Sequence, residues 1–275
     1  MSHTFTFPIR SDKLTMTVAV RRELCDVQSE FQRIQVLETE AFGKMLLLDG
    51  HIQLTELDER VYHEALVHPP LLSALAPTRA LVIGGGDGGV VRELCRHASL
   101  KAIDMVEIDQ AVIDVCKLHM PEVNAGTFED PRVTVHVADA FPFVKSASEP
   151  YDLIVMDSTD TYEGEDGALS EQLFTESFYR DCARILTRNG FLITQADNLM
   201  FCPYSLEAIQ SMFQQVFAKV GSYFAVVPSF GGYSGYCWAS HGGELAKNLS
   251  PAAGELNLKT LTPEAYAFGM AGLPA

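Results

Sequence analysis

Gly84-Gly85-Gly86-Asp87-Gly88-Gly89 follows the apolar run Ala80-Leu81-Val82-Ile83, and Glu107 stands 18 positions beyond the last of these glycines. A buried strand, a glycine turn, a helix and then an acid at the end of the next strand make a nucleoside-binding half-site of Rossmann type. The unusual residue is Asp87. A loop that holds a pyrophosphate or a substrate carboxylate offers bare N–H groups at a helix N-terminus, and an aspartate there repels either anion. The loop therefore suits a nucleoside that carries positive charge.

Outward from the loop, strands and helices alternate. Strands are predicted at Ala80 to Ile83, Ala102 to Glu107, Val133 to Val137, Leu153 to Met156 and Gly190 to Thr194, with helices near Val90 to His97, Gln110 to His119 and Glu176 to Leu186. Such alternation means a parallel sheet wrapped by helices. Ser205 to Val220 reads as a further helix, and Tyr223 to Val227 with Gly235 to Ser240 as an antiparallel pair closing the sheet. Upstream the pattern is different. Leu14 to Val20, Phe31 to Leu37 in period-two alternation, and Lys44 to Leu48 read as strands, and Asp49-Gly50 as a hairpin turn back to Ile52-Gln53-Leu54. From Asp58 to Leu75 a helical stripe runs until Pro69-Pro70 interrupts it. The expected fold is α/β: a Rossmann-like, class I methyltransferase-like, mostly parallel sheet over residues 56–275, preceded by a small antiparallel β domain over 1–55.

Composition bounds the function. The 275 residues are 47% hydrophobic, enough for one large core with a small companion, and the longest apolar runs are of strand length. No transmembrane helix is expected, nor a secretory signal at Met1-Ser2-His3-Thr4-Phe5. The six cysteines, Cys25, Cys95, Cys116, Cys182, Cys202 and Cys237, show no C-x-x-C pairing and read as reduced thiols of a cytoplasmic protein. A formal charge of -16 argues against nucleic acid, because no basic stripe exists to neutralise phosphates. Such acidity is either a solubility device or a field that attracts cations.

In an open parallel sheet, ligands sit outside the carboxyl ends of the strands. Here those ends carry Asp87, then Glu107 and Asp109, then Asp139, then Asp157 and Asp160, then Gln195. Any one of these acids is well explained as a cap for the following helix. All of them together are better explained as ligand groups. Glu107 suits a ribose diol, and Asp139 with the backbone of Ala140 suits an adenine edge. Asp87, Asp157 and Asp160 are left to face cationic nitrogen. If the reaction partner is an amine as well, its ammonium, with a pKa near about 10.4, must lose a proton before it attacks. A positioned aspartate, Asp157 or Asp160, is the natural general base.

At these residues the chain closely resembles the polyamine aminopropyltransferases, the family of spermidine synthases. The resemblance runs from about Gln28 to Ala239 through Ser29-Glu30-Phe31-Gln32-Arg33-Ile34, Phe42 to Gly50, Tyr62-His63-Glu64, the Gly84 to Gly89 loop, Val106-Glu107-Ile108-Asp109, Ala138-Asp139-Ala140-Phe141 and Asp157-Ser158-Thr159-Asp160. It implies transfer of a 3-aminopropyl group from decarboxylated S-adenosylmethionine, a co-substrate rather than a cofactor, to a small cationic amine, releasing methylthioadenosine. It further implies nucleoside contacts from Gln32, Gly84, Gly86, Glu107, Asp139 and Ala140, and donor-chain contacts from His63 and Asp87. Asp157 would be base and donor-amine anchor, with Tyr62, Asp160, Gln195 and Phe230 around the acceptor. No metal is implied, and a homodimer or homotetramer is.

The departures bear on the acceptor. Where the family usually continues Pro-x-Gly-Pro after the second aspartate, this chain has the acid-rich Thr161 to Ala168; Leu57 stands where an arginine is common, and Phe230 where putrescine-using members place a tyrosine. Putrescine is the default acceptor, and agmatine, cadaverine or spermidine the competitors. A methyltransferase on the same fold is the main alternative class, opposed by Asp87, which would face the carboxylate of intact S-adenosylmethionine. An NAD-linked dehydrogenase fits less well, and a non-catalytic polyamine-binding protein, which the altered Thr161 to Ala168 loop leaves open, is opposed by the retained Asp157, Asp160 and Tyr62, since decay of catalysis should release the base first.

Overall fold

A computed structural model describes residues 3–9, 11–158 and 173–272. Five antiparallel strands, β1 (His3–Ile9), β2 (Ser11–Gln28), β3 (Arg33–Thr39), β4 (Gly43–Leu48) and β5 (His51–Thr55), form a meander in sequence order. Then follow α1 (Glu59–Ser73), β6 (Arg79–Gly84), α2 (Gly89–Cys95), β7 (Ala102–Glu107), α3 (Gln110–His119), the single turn α4 (Pro121–Asn124), β8 (Val133–Val137), α5 (Ala140–Ser146), β9 (Tyr151–Asp157), α6 (Glu176–Arg184), β10 (Leu186–Asn198), α7 (Pro203–Gln214), β11 (Lys219–Val227), β12 (Gly232–Ser240) and α8 (Pro263–Met270).

The second sheet has seven strands in the order β11-β12-β10-β9-β6-β7-β8. β10, β9, β6, β7 and β8 are parallel, and β12 runs antiparallel to both β10 and β11. This is the expected mostly parallel sheet closed by an antiparallel pair. One of its faces packs against α1 and α2 through Leu66, Val82, Val90 and Met105, and the other against α5, α6 and α7 through Ile83, Val144, Phe178 and Phe213. The first sheet is joined to the second through α3: Ile34, Val36, Leu46 and Leu54 share a core with Val112, Val115 and Cys116.

Three local expectations are corrected. Pro69 and Pro70 do not interrupt α1, which continues through both to Ser73. Pro69 has no N–H for the carbonyl of Ala65, and the Tyr223 hydroxyl donates to that carbonyl at 2.5 Å instead. The predicted helix from Ser205 to Val220 stops at Gln214, because Val220 is paired with Ala239 in the sheet, and non-local pairing overrides the helical spacing of its apolar residues. β3 begins at Arg33, so Phe31 and Gln32 lie in the preceding turn, and Gln35 is buried with its neighbours rather than facing solvent in alternation. β1 lies outside the strands predicted above, although Phe5, Phe7 and Ile9 alternate with Thr4, Thr6 and Pro8, and it pairs with β2 along its length.

Two buried ionic clusters fix α1. Its Glu64 carboxylate, fully buried, accepts hydrogen bonds from the backbone of Lys259, Thr260 and Leu261 and from the Thr260 hydroxyl at 2.7–2.9 Å, which clasps the C-terminal segment against the helix. Arg92 of α2 forks onto Glu59 of α1 at 2.9 and 2.8 Å and reaches Glu93 Oε1 at 2.8 Å. The face of α1 that bears Tyr62 and His63 is thereby held at the carboxyl edge of the sheet.

Candidate active site

β6 and β9 are neighbours, with Gly84 opposite Asp157. Gly84 and Gly85 adopt φ values of +82° and +74°, and the Gly85 N–H donates to the Asp157 carbonyl at 2.9 Å. A Cβ at Gly84 would lie 2.2 Å from that carbonyl oxygen, so only glycine lets the two strand ends come this close. The approach brings the side chains of Asp87 and Asp157 to the same point. Together with His63 they form a group whose ligand atoms all lie within 4.8 Å of one another. Such a trio offers acceptor atoms converging on a point the size of an ammonium nitrogen.

A cavity of about 550 Å³ opens over these strand ends. Its floor is the second sheet. Pro8 and Ile9 of β1, Leu46 and Leu48 of β4, and Ile52 and Gln53 of β5 line it from the other side, so the antiparallel sheet supplies a wall as well as a core.

Glu107, Asp139 and Ala140 line one end. Burial pushes the Glu107 carboxyl up to about 7 against the pull of the Asp109 N–H, which it accepts at 2.9 Å. A Cβ on Gly86 would sit 3.1 Å from Glu107 Oε2, which accounts for the glycine there. Gln32 lines the same end, but its amide nitrogen donates to Asp109 Oδ2 at 3.1 Å, beside the Ser29 hydroxyl at 2.6 Å. Asp109 thus ties the Ser29 to Gln32 turn over the Glu107 end of the cavity. Capping and ligand binding prove compatible, since a carboxylate has two oxygens. Asp109 accepts from Ala111 N at 3.0 Å, Asp139 from Phe141 N at 2.8 Å and Asp87 from Gly89 N at 2.7 Å, while Asp87 and Asp139 also line the cavity.

In the middle of the cavity, the Tyr62 hydroxyl donates to Asp157 Oδ1 at 2.6 Å. Burial, and next the charge of Asp87, push the Asp157 carboxyl up to about 6, while His63 and the Tyr62 hydroxyl pull the other way. Asp87 is the opposite case. Burial alone would raise it, but His63, the Gly89 N–H and Arg92 outweigh burial and hold it below the ordinary range. His63 sits between Glu59, 2.8 Å from Nδ1, and Asp87, 3.4 Å from Nε2. Burial alone would lower the imidazole, but the two carboxylates push it up to about 10.

The far end is apolar and polar by turns. The Phe230 ring meets the edge of the Tyr62 ring at 5.6 Å, and Gln195 is buried, its Oε1 accepting from Asp197 N at 2.9 Å. Phe230 is placed by a buried latch: Asp58 Oδ2 accepts from Ser229 N at 2.8 Å, and Asn198 Nδ2 donates to the Phe230 carbonyl at 2.8 Å. Asp160 and the Thr161 to Ala168 segment lie outside the described residues.

The structure therefore gathers Gln32, Tyr62, His63, Gly84, Gly86, Asp87, Glu107, Asp139, Ala140, Asp157, Gln195 and Phe230 around one cavity. Sequence reasoning missed Asp58, Glu59 and Arg92, which act from behind it, and Asp197, Asn198 and Ser234, which line it. The four-residue spacing of Glu59 and His63 on a helix was the available signal for one of these.

The strand order and the acidic cavity define a methyltransferase-like protein whose ligand site is lined by carboxylates. Residues 59–247 match the family model for the spermine/spermidine synthase domain, and residues 5–56 that for the spermidine synthase tetramerisation domain. The polyamine aminopropyltransferase of Sulfolobus acidocaldarius is 40% identical over 222 residues, 81% of this chain and 72% of that one. That of Alkaliphilus metalliredigens is 37% identical over 255 residues, 91% and 88% of the two chains. The crystal structure of spermidine synthase from Thermotoga maritima superposes with a TM-score of 0.89 at 27% identity, over 99% of this chain and 91% of that one. A spermidine synthase in complex with the transition-state analogue AdoDATO gives 0.91 at 28% identity, over 99% and 92%. The chain belongs to the spermine/spermidine synthase family, as its motifs led us to expect.

Proposed function

We propose that the protein is an aminopropyltransferase that moves the 3-aminopropyl group of decarboxylated S-adenosylmethionine to an amine, putrescine by default, and releases methylthioadenosine. The observation that carries this reading is Asp157: a buried carboxylate held by Tyr62, with a pKa pushed up to about 6, at the midpoint of a cavity lined by acids. A carboxylate tuned toward neutrality is a better proton acceptor than a free aspartate and is still ionised at pH 7.

The chemistry is an in-line displacement. Glu107 binds the ribose diol and Asp139 with Ala140 the adenine edge, which places the sulfonium-bound carbon over Asp157. The acceptor lies along Tyr62, Gln195 and Phe230. Asp157 accepts a proton from its ammonium, the freed lone pair attacks the carbon next to sulfur, and the carbon–sulfur bond breaks to leave neutral methylthioadenosine. Much of the acceleration is positioning of two cations that repel each other in solution, which the surrounding carboxylates make tolerable.

Decarboxylated S-adenosylmethionine is a co-substrate, and the reading calls for no further cofactor. Assembly into a homodimer or homotetramer through the β1–β5 sheet is supported by the match of residues 5–56. A cytoplasmic location is supported by the six cysteines, none of which forms a disulfide, and among the described residues no helix is long and apolar enough to cross a membrane.

The test is product analysis by mass spectrometry after the protein is given the donor with putrescine, cadaverine, agmatine and spermidine in competition. Methylthioadenosine with one dominant aminopropylated amine is the expected result. Asp157→Asn should abolish turnover and leave methylthioadenosine binding nearly intact. An active Asp157→Asn enzyme would remove the assigned base.

A further inference from the structure

Nε2 of His63 is buried, faces Asp87 Oδ1 at 3.4 Å and makes no hydrogen bond. The other ring nitrogen is committed to Glu59 Oε2 at 2.8 Å. Glu59 is in turn gripped by both terminal nitrogens of Arg92. A carboxylate neutralised in this way accepts a hydrogen bond and does not give one, so Nδ1 keeps its hydrogen whatever the charge on the ring. The proton that comes and goes is the one on Nε2.

We propose, on the reading of the donor site given above, that His63 exchanges its Nε2 proton for the ammonium of the donor. In the empty site the imidazolium is the counter-ion of Asp87. When the aminopropyl ammonium arrives, the Nε2–H bond breaks and the proton leaves to solvent through the cavity. The freed lone pair then joins Asp87 and Asp157 in accepting the three N–H bonds of the ammonium. One positive charge replaces another and no other bond changes. Glu59 and Arg92 are positioning residues for this exchange, because they fix which nitrogen faces the ligand.

Geometry supports the exchange. Three acceptors about 2.8 Å from a common nitrogen stand at most about 4.8 Å apart, and the atoms of His63, Asp87 and Asp157 satisfy that limit. The ring packs directly against Gly89, where a Cβ would lie 2.2 Å from its Cε1. Charge supports it too. The groups around the ring are Glu59 from its own helix with Arg92 and the more exposed Arg60 beyond it, Asp87 from the glycine loop and Asp157 from the end of β9. The Tyr62 hydroxyl is bonded to Asp157, and the Cys116 thiol behind Asp87 is kept neutral by burial. Asp87 is what holds the proton on Nε2, so an ammonium that takes over Asp87 removes the reason for it and repels it.

Calorimetric titration of the intact enzyme, without acceptor, in buffers of different ionisation enthalpy reads the exchange directly. At about pH 7.5, where His63 is charged and Asp157 ionised in the empty site, decarboxylated S-adenosylmethionine should release close to one proton. Methylthioadenosine, which lacks the ammonium, should release none. The ratio of the two affinities should rise by up to tenfold per pH unit between about pH 7 and 9. His63→Gln should bind the donor with no proton release, and Glu59→Gln, which keeps shape but not charge, should release less than the parent. A donor that binds and is turned over with no buffer-dependent heat would overturn the inference while the functional reading stands. If neither nucleoside binds, the functional reading falls and takes the inference with it.

Discussion

Tyr62 and Asp157, 95 positions apart in the chain, meet in a 2.6 Å hydrogen bond between α1 and the end of β9, the central strand of the seven-stranded sheet. The bond sets both the direction of the Asp157 carboxylate and part of its proton affinity. A hydroxyl that donates to a carboxylate stabilises the charged form, so Tyr62 acts against the burial and the Asp87 charge that raise Asp157.

Tyr62→Phe therefore shifts the acid limb of the rate profile. The base must be ionised to act, so activity falls as pH drops through the pKa of Asp157, about 6 in the free enzyme. Without the hydroxyl this limb moves to higher pH by about one to two units, the value of a hydrogen bond to a charged group. A pH profile of kcat/KM for both proteins checks it, and an unmoved limb would mean that Asp157 is not the titrating base.

Glu107→Gln exposes a trade between stability and binding. A carboxyl raised to about 7 destabilises the fold as pH climbs from the ordinary glutamate range through 7, because the buried charge finds too little compensation. The amide removes that penalty. We expect the substrate-free variant to melt higher than the parent at pH 8 and equally at pH 4, with weaker methylthioadenosine binding at pH 8. Equal affinity in parent and variant would take the ribose away from Glu107.

Gly89→Ala drives a methyl group into the His63 ring. Overpacking of this kind costs roughly 1–3 kcal/mol, and here the ring that must move faces the donor's aminopropyl end. Donor affinity should fall further than methylthioadenosine affinity, with both read by titration. A uniform loss would show a general disturbance of the glycine loop instead.

Phe230→Tyr adds a hydroxyl beside Tyr62, at the end of the cavity assigned to the acceptor. One new hydrogen bond is worth about 0.5–1.5 kcal/mol, so KM for putrescine should drop by roughly two- to tenfold, with the donor KM unchanged. Competition among the four amines shows whether the preference shifts with it. A change confined to the donor would place Phe230 at the wrong end.

β7 and β9 were legible because each is a run of largely buried β-branched and aliphatic residues ended by an acid, as in Leu153 to Asp157. Local pattern and tertiary demand agree there. They disagree at Pro69 and Val220. In the first case a distant tyrosine hydroxyl serves the carbonyl that proline leaves open, and in the second a partner strand outweighs helical spacing. Neither partner is visible from the local sequence.

Residue type and order determined by themselves that this chain builds a parallel sheet with an acidic carboxyl edge, because short apolar runs alternating with helical stretches, and an acid after such a run, are local facts. They also determined the family, through motifs longer than chance. Tertiary structure alone decided what each acid does. Asp109 became an anchor for Gln32, Asp157 a buried carboxyl pushed up to about 6 and Asp87 the counter-ion of a buried histidine, from nearly identical positions at strand ends. Proton affinity depends on burial and on which charges lie within a few ångströms, and those neighbours come from Tyr62, His63 and Glu59 on a helix that the chain lays down before the sheet begins.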